Sequence, residues 1–235
     1  MDQLTGQFVV VTGLPSSLRD AAVARIEREG AKVAVFEASA DAVRAAADQA
    51  GRLDAVVNVL KGHENWGPFV DDDSVSLRAM FDQVVDFTEA LRAAYPYLKA
   101  SQGRAVNVCS LFGSTAVTHI APAVAADGAL QGLTRSIGAE WAKDGIQVNC
   151  IVPAAIDVPE FRAFRDRHPT EVDHRVNSLP LHRLGDPVED FGGALMMLLS
   201  DEACFLVGHV VHADGGQHLS APVFEPGANL TAIEA

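Results

Sequence analysis

Six short apolar runs punctuate this chain, and the lengths between them leave few folds open. They read "QFVVVTG", "AKVAVFE", "LDAVVNVL", "RAVNVCS", "IQVNCIVP" and "FLVGHVVHA", each as long as a strand and apolar on both faces. A strand buried on both faces belongs to a parallel sheet covered by helices on either side, and parallel neighbours need a crossover of helix length. The intervening segments have that length. The pattern therefore predicts an α/β fold, a single Rossmann-like doubly wound parallel sheet of six strands with right-handed crossovers. No repeat or low-complexity linker interrupts it, so residues 1–235 read as one domain.

Composition narrows what such a domain can meet. With 49% hydrophobic residues the chain can bury a full core. A formal net charge of -13, with no Lys/Arg cluster, opposes nucleic acid and anionic lipid as partners. The amino terminus "MDQLTGQFVV" lacks a basic region before a long apolar run, and no later stretch offers about 18 uninterrupted apolar residues. No membrane partner is expected, and the expected location is cytoplasmic. Cys109, Cys150 and Cys204 are odd in number, widely spaced and set among apolar residues, which predicts buried thiols instead of disulfides or a zinc site. His209 and His212 lie close together in "GHVVHADGG", but an offset of three sends strand side chains to opposite faces, so no metal is expected.

Two helical segments are more apolar than a covering layer needs. In "SLRAMFDQVVDFTEALRAAYPYL", Leu77, Phe81, Val84, Leu91, Tyr95 and Leu98 form one stripe, widened by Met80 and Phe87. Around "GALQGLTRSIGAEWA", Leu130, Leu133, Ile137 and Trp141 spread over a broad arc. A subunit interface is read there. The charge-dense segment 160–185 reads as a lid or as a solvated helix and loop, since ligands of such sheets bind outside the carboxyl ends of the strands. The tail 217–235 reads either as a disordered end or as a segment that docks on a catalytic partner through Phe224 and its apolar neighbours.

In order and spacing, "VVVTG", "LDAVVN", "GRAVNVCSLFGS", "GALQGLTRSIGAEWAKDGIQVNCIVPAAIDVP" and "LGDPVEDFGGALMMLLSDEACFLVGHVVHADGG" resemble the short-chain dehydrogenase/reductase family across nearly the whole chain. The resemblance implies a Rossmann-like sheet, NAD(P) bound at a T-G-x-x-x-G-x-G turn, and hydride transfer assisted by a tyrosine, a lysine four residues on and an upstream serine. Between "VAVFE" and "LDAVVN" there is room for one helix only, so one edge strand of the family's usual seven is expected to be missing.

Against that family pattern, individual positions differ. The turn reads "TGLPSSLR", placing Ser17 and Arg19 at the second and third glycines and Pro15 in the loop. The family's N-N-A-G reads "NVLK", with Lys61 at the glycine, and the P-G-x-x-x-T segment reads Pro153, Ala154 and Val158. Ser110 stands at the serine, Ala123 at the tyrosine, Asp127 at the lysine and Gln83 at the helix asparagine. Methyl carries no proton, and an anion at the lysine position raises a phenol's pKa.

These positions lead to the expectation of a degenerate member, a non-catalytic (pseudoenzyme) subunit. Ser110 is then a relic, no cofactor binds in this chain, and NAD(P) belongs to a catalytic partner. That partner is an active short-chain dehydrogenase subunit, in a heterodimer or heterotetramer, with a hydroxyacyl-CoA or similar substrate by analogy. Two alternatives stay open: a nucleotide-independent enzyme using the emptied pocket, with His119 as the nearby base, and a ligand-sensing or regulatory module. Arg19 and Lys61 would bind an anion there or plug the cleft against Asp127 or another acid.

Overall fold

The computed structural model describes residues 3–62, 67–72, 74–114, 118–167 and 169–219. The six apolar runs are six strands: β1 (Phe8–Thr12), β2 (Lys32–Phe36), β3 (Ala55–Val59), β4 (Arg104–Val108), β5 (Gln147–Pro153) and β6 (Val210–Ala213). They pair in parallel in the order β2-β1-β3-β4-β5-β6. The order reverses direction between β1 and β3, which makes a crevice at the carboxyl ends of those two strands.

Strand alternation sorts the core into two layers. Val9 and Val11 of β1 face α1 (Ser17–Arg28) and α7 (Gly192–Leu199), where Ile26, Phe191 and Leu195 are fully buried. Val10 faces the other way, into a cluster with Leu53, Leu91 and Leu98 under α2 (Ala40–Ala50) and α3 (Ser74–Ser101). Beside it, α4 (Ala121–Trp141) covers β4 and β5 with Ala123, Ala126 and Leu130. Its small residues are explained by that contact: a helix without bulk on one face lies close to a sheet.

One helix, α2, is all that joins β2 to β3, so the family's seventh strand is absent and β2 is the edge. The edge strand shows it: Lys32 is exposed and Val35 is 41% exposed. A charge on such a strand discourages pairing with another chain.

A buried polar rail crosses the sheet centre. Thr12 Oγ1 donates to Asn58 Oδ1 at 2.7 Å, Asn58 Nδ2 to Asn107 Oδ1 at 2.8 Å, and Asn107 Nδ2 to Thr134 Oγ1 at 2.9 Å. Thr134 passes its own proton to Leu130 O at 2.8 Å. Register places Thr12, Asn58 and Asn107 side by side on β1, β3 and β4, so each amide finds its neighbour without strain.

Several expectations need adjustment. The stripe on α3 is not uniformly buried: Val84, Leu91 and Leu98 are in the core, whereas Leu77 and Phe81 are exposed because the helix start overhangs the sheet. Cys109 and Cys150 are buried thiols, but Cys204 is exposed. The sixth run yields only four residues of strand, since Gly208 N already donates to Val148 O and Phe205 stands at the surface. Segment 160–185 holds two short helices, α5 (Pro159–Arg167) and α6 (Pro169–Asn177). Of the tail 217–235, everything beyond Leu219, including Phe224, lies outside the described residues. No helix among the described residues is long and apolar enough to cross a membrane.

Candidate active site

At the crevice, the chain leaves β1 through Gly13. Its φ is +134°, and a Cβ there would stand 2.3 Å from Val59 O on β3, so only glycine fits. Ser16 then caps α1, its Oγ accepting from Arg19 N at 3.3 Å, which sets Ser17 as the first helical residue. The Arg19 side chain folds inward, 14% exposed, and its Nη1 donates to Gly13 O at 3.0 Å. Its Nη2 lies 3.4 Å from Asp20, and its buried Nε has no partner among the described residues. The guanidinium therefore contacts an acid, Asp20, and the Gly13 carbonyl.

Across the crevice, Gln83 of α3 clamps the backbone of Lys61. Its Oε1 accepts from Lys61 N at 3.1 Å and its Nε2 donates to Lys61 O at 3.4 Å. Val158, after β5, donates its N–H to Ile156 O at 3.0 Å and packs against the α1 side of the core. Ala123 is buried in one apolar cluster with Leu111, Ile120 and Cys150. His119 is exposed in a loop with φ +71°, and its carbonyl accepts from Gly67 N at 3.0 Å.

The sequence reading treated Ser110 and Asp127 separately, and the fold brings them together. Ser110, just past β4, donates its backbone N–H to Asp127 Oδ1 at 2.7 Å and its hydroxyl to Asp127 Oδ2. Asp127 is 2% exposed on the inner face of α4. Burial raises its pKa above the ordinary carboxylate value, and the two bonds from Ser110 oppose that rise without cancelling it. The loop over the pair is pressed close: a Cβ on Gly113 would meet Asp127 Cβ at 2.8 Å. Beneath it, the Cys109 and Cys150 sulfurs lie 3.2 Å apart, and contact with Cys150, burial and the nearby Asp127 push the Cys109 thiol well up.

A second cleft, about 410 Å³, opens at the ends of β5 and β6. There His212 stacks on His218 with centroids 4.4 Å apart, and buried Asp214 accepts from His218 Nδ1 at 2.7 Å. The partner of His212 is thus His218 and not His209. Among the described residues no group of three His, Cys, Asp or Glu could hold a metal ion.

A sheet switch point with a glycine turn, a capped helix and a serine at the next strand end defines a dinucleotide-fold oxidoreductase. The comparisons agree. A family model described as Enoyl-(Acyl carrier protein) reductase matches residues 5–218, and the chain belongs to the short-chain dehydrogenase/reductase family. It is 31% identical over 224 residues to the 2-dehydro-3-deoxy-D-gluconate 5-dehydrogenase of Formosa agariphila, covering 91% of this chain and 84% of that one. It is 30% identical to 2-(S)-hydroxypropyl-CoM dehydrogenase 3 of Xanthobacter autotrophicus, covering 90% and 87%. Among solved structures, a gluconate 5-dehydrogenase from Burkholderia cenocepacia in complex with NADP and tartrate superposes with a TM-score of 0.81 at 25% identity, covering 94% of this chain and 99% of that one.

These relatives correct the expectation of a non-catalytic subunit. Both curated relatives carry the names of dehydrogenases, and the matches cover about nine tenths of this chain. The physical reason for the error is that exchanged side chains were equated with a lost reaction.

Proposed function

We propose that the chain is a nicotinamide-dependent dehydrogenase of a small hydroxylated substrate, acting at the crevice between the ends of β1, β3 and β4. The observation that carries this reading is Arg19: a half-buried cation, its Nε donor without a partner among the described residues, at the start of α1 beside the glycine turn at the switch point. An anion placed there would meet the guanidinium and the positive end of the helix together. The residues present suit a dinucleotide pyrophosphate held by a guanidinium where the family uses bare backbone N–H groups, and the side chains of Ser17 and Arg19 are read as that exchange.

In this reading Arg19 and the α1 amino terminus would hold the phosphates, and Gln83 would fix the Lys61 segment that borders them. Exposed Glu37, the residue after β2, would accept from a ribose hydroxyl and repel a 2′-phosphate, which favours NAD over NADP. When bound, the nicotinamide supplies the hydride acceptor or donor. Ser110 is placed to bind the substrate oxygen at the mouth of the site.

Calorimetry with NADH and NADPH, followed by turnover assays with gluconate, glucose and simple secondary alcohols, tests the proposal. Micromolar binding of NADH, weakened by Arg19→Ala and tighter than that of NADPH, is the expected result. Absence of heat for both nucleotides would overturn it.

A further inference from the structure

We propose that Ser110 and Asp127 form a two-residue proton relay that takes the place of the family's phenol. The inference rests on the dehydrogenase reading above for its reaction, and on geometry for its parts. Ser110 is half-buried at the end of β4, so its hydroxyl can meet a substrate oxygen, while Asp127 behind it is sealed from water by α4 and the 111–114 loop. The hydroxyl already donates to Asp127 Oδ2, and the backbone N–H of the same residue holds Oδ1 at 2.7 Å. The carboxylate is thereby fixed with one oxygen as an anchor and the other as the proton's destination.

The oxidation step balances as follows. The substrate's C–H bond breaks with its electron pair, the hydride being accepted by an oxidised nicotinamide. The substrate O–H proton moves to Ser110 Oγ while the Ser110 proton moves to Asp127 Oδ2, leaving a carbonyl, an unchanged serine and a carboxylic acid. Reduction runs the same transfers backwards, with Asp127 starting protonated. A buried carboxyl suits both directions, because burial raises its pKa above the ordinary carboxylate value and so eases its protonation. The two hydrogen bonds from Ser110 lower the Asp127 pKa without cancelling that rise. Ser110 is the catalytic residue here, touching substrate, and Asp127 acts through it.

A merely structural role for the pair would give a different set of results. Asp127→Asn keeps an oxygen to accept from Ser110 N, so the fold is retained, but it cannot take the proton. NADH affinity and KM are expected to stay at wild-type values while kcat falls by about 10²–10⁴-fold and the pH dependence of kcat flattens. Ser110→Ala is expected to lower kcat as far while also raising KM, since it removes the group that meets the substrate oxygen, and the double variant is expected to lose little more kcat, as members of one unit do. Independently of turnover, infrared difference spectra of the free wild-type chain should show a protonated-carboxyl band that appears at higher pH than for ordinary carboxyls and is absent from Asp127→Asn. Wild-type kcat in Asp127→Asn, or no such band, would overturn the relay with the dehydrogenase reading intact. Failure of the wild-type chain to bind NADH or NADPH would sink that reading instead, and the infrared band would still decide the protonation of Asp127.

Discussion

Replacing Asn107 by alanine cuts the polar rail in the middle of the sheet. Two hydrogen bonds disappear, that from Asn58 Nδ2 at 2.8 Å and that to Thr134 Oγ1 at 2.9 Å. Their consequences differ. Thr134 keeps its own bond to Leu130 O, so it is left with little deficit, whereas the Asn58 amide becomes a donor in a site fully closed to water. An orphaned buried donor costs about 1–3 kcal/mol, and the space left by the side chain about 1 kcal/mol more. For a chain of this size a loss of about 2–4 kcal/mol lowers Tm by about 5–15 °C, measurable by circular dichroism or calorimetry. Asn58→Ala alone should behave similarly. The double variant should lose less than the two single losses added together, because removing both amides removes the orphan, and the cycle should show coupling of about 1 kcal/mol or more. A fall of under about 2 °C for Asn107→Ala, or strict additivity, would refute the view that the rail is one satisfied unit.

Gly13→Ala should yield no soluble folded protein, or a Tm lowered beyond that of Asn107→Ala, because its methyl would press on the Val59 carbonyl at 2.3 Å; soluble yield and melting curves decide it. A thiol reagent should modify Cys204 rapidly in the native chain and reach Cys109 and Cys150 only on unfolding, since those two are buried and the Cys109 thiol is held protonated; fast reaction of all three would contradict the packing. Arg183 and Asp190 form a two-point pair at 2.7 and 2.8 Å, and Asp190's pKa is lowered from 3.8 to about 2. Its contribution is therefore intact above the ordinary carboxylate range and lost as pH falls through about 2, so the Tm difference between wild type and Asp190→Asn should shrink on acidification across that window.

The sheet was legible because a strand covered on both faces announces itself as an unbroken apolar run, and the missing edge strand because eighteen residues or so between β2 and β3 cannot hold two helices and a strand. The polar rail left a fainter trace: an asparagine in the same place in "AVVNV" and "RAVNV" is the mark of two amides in register, visible only once those strands are known to be neighbours. The Ser110–Asp127 pair was not legible at all. Their contact spans 17 residues and depends on α4 lying over the end of β4, which no periodicity states. Read one position at a time, Asp127 was a charge of the wrong sign. In the fold it is the acceptor of a serine hydroxyl, and its sign no longer matters to a phenol that is absent. The stacking of His212 on His218 was missed for a related reason, one lying on a strand and the other on the short 3-10 helix that follows it.

The single helix between β2 and β3 also bears on the order in which the molecule can assemble. Thr12 and Asn58, the first link of the rail, are only 46 residues apart, and β2 and α2 occupy much of the interval. Closing a loop costs entropy that grows with the logarithm of its length, about 0.6 kcal/mol for each doubling. A chain that has shed a strand and a helix from this interval closes the β1–β3 pair across a shorter gap than a full-length relative would. The switch point, where the ligand crevice forms, is then among the first long-range contacts the growing chain can make, before the residues of β4 and α4 that complete the site have been added.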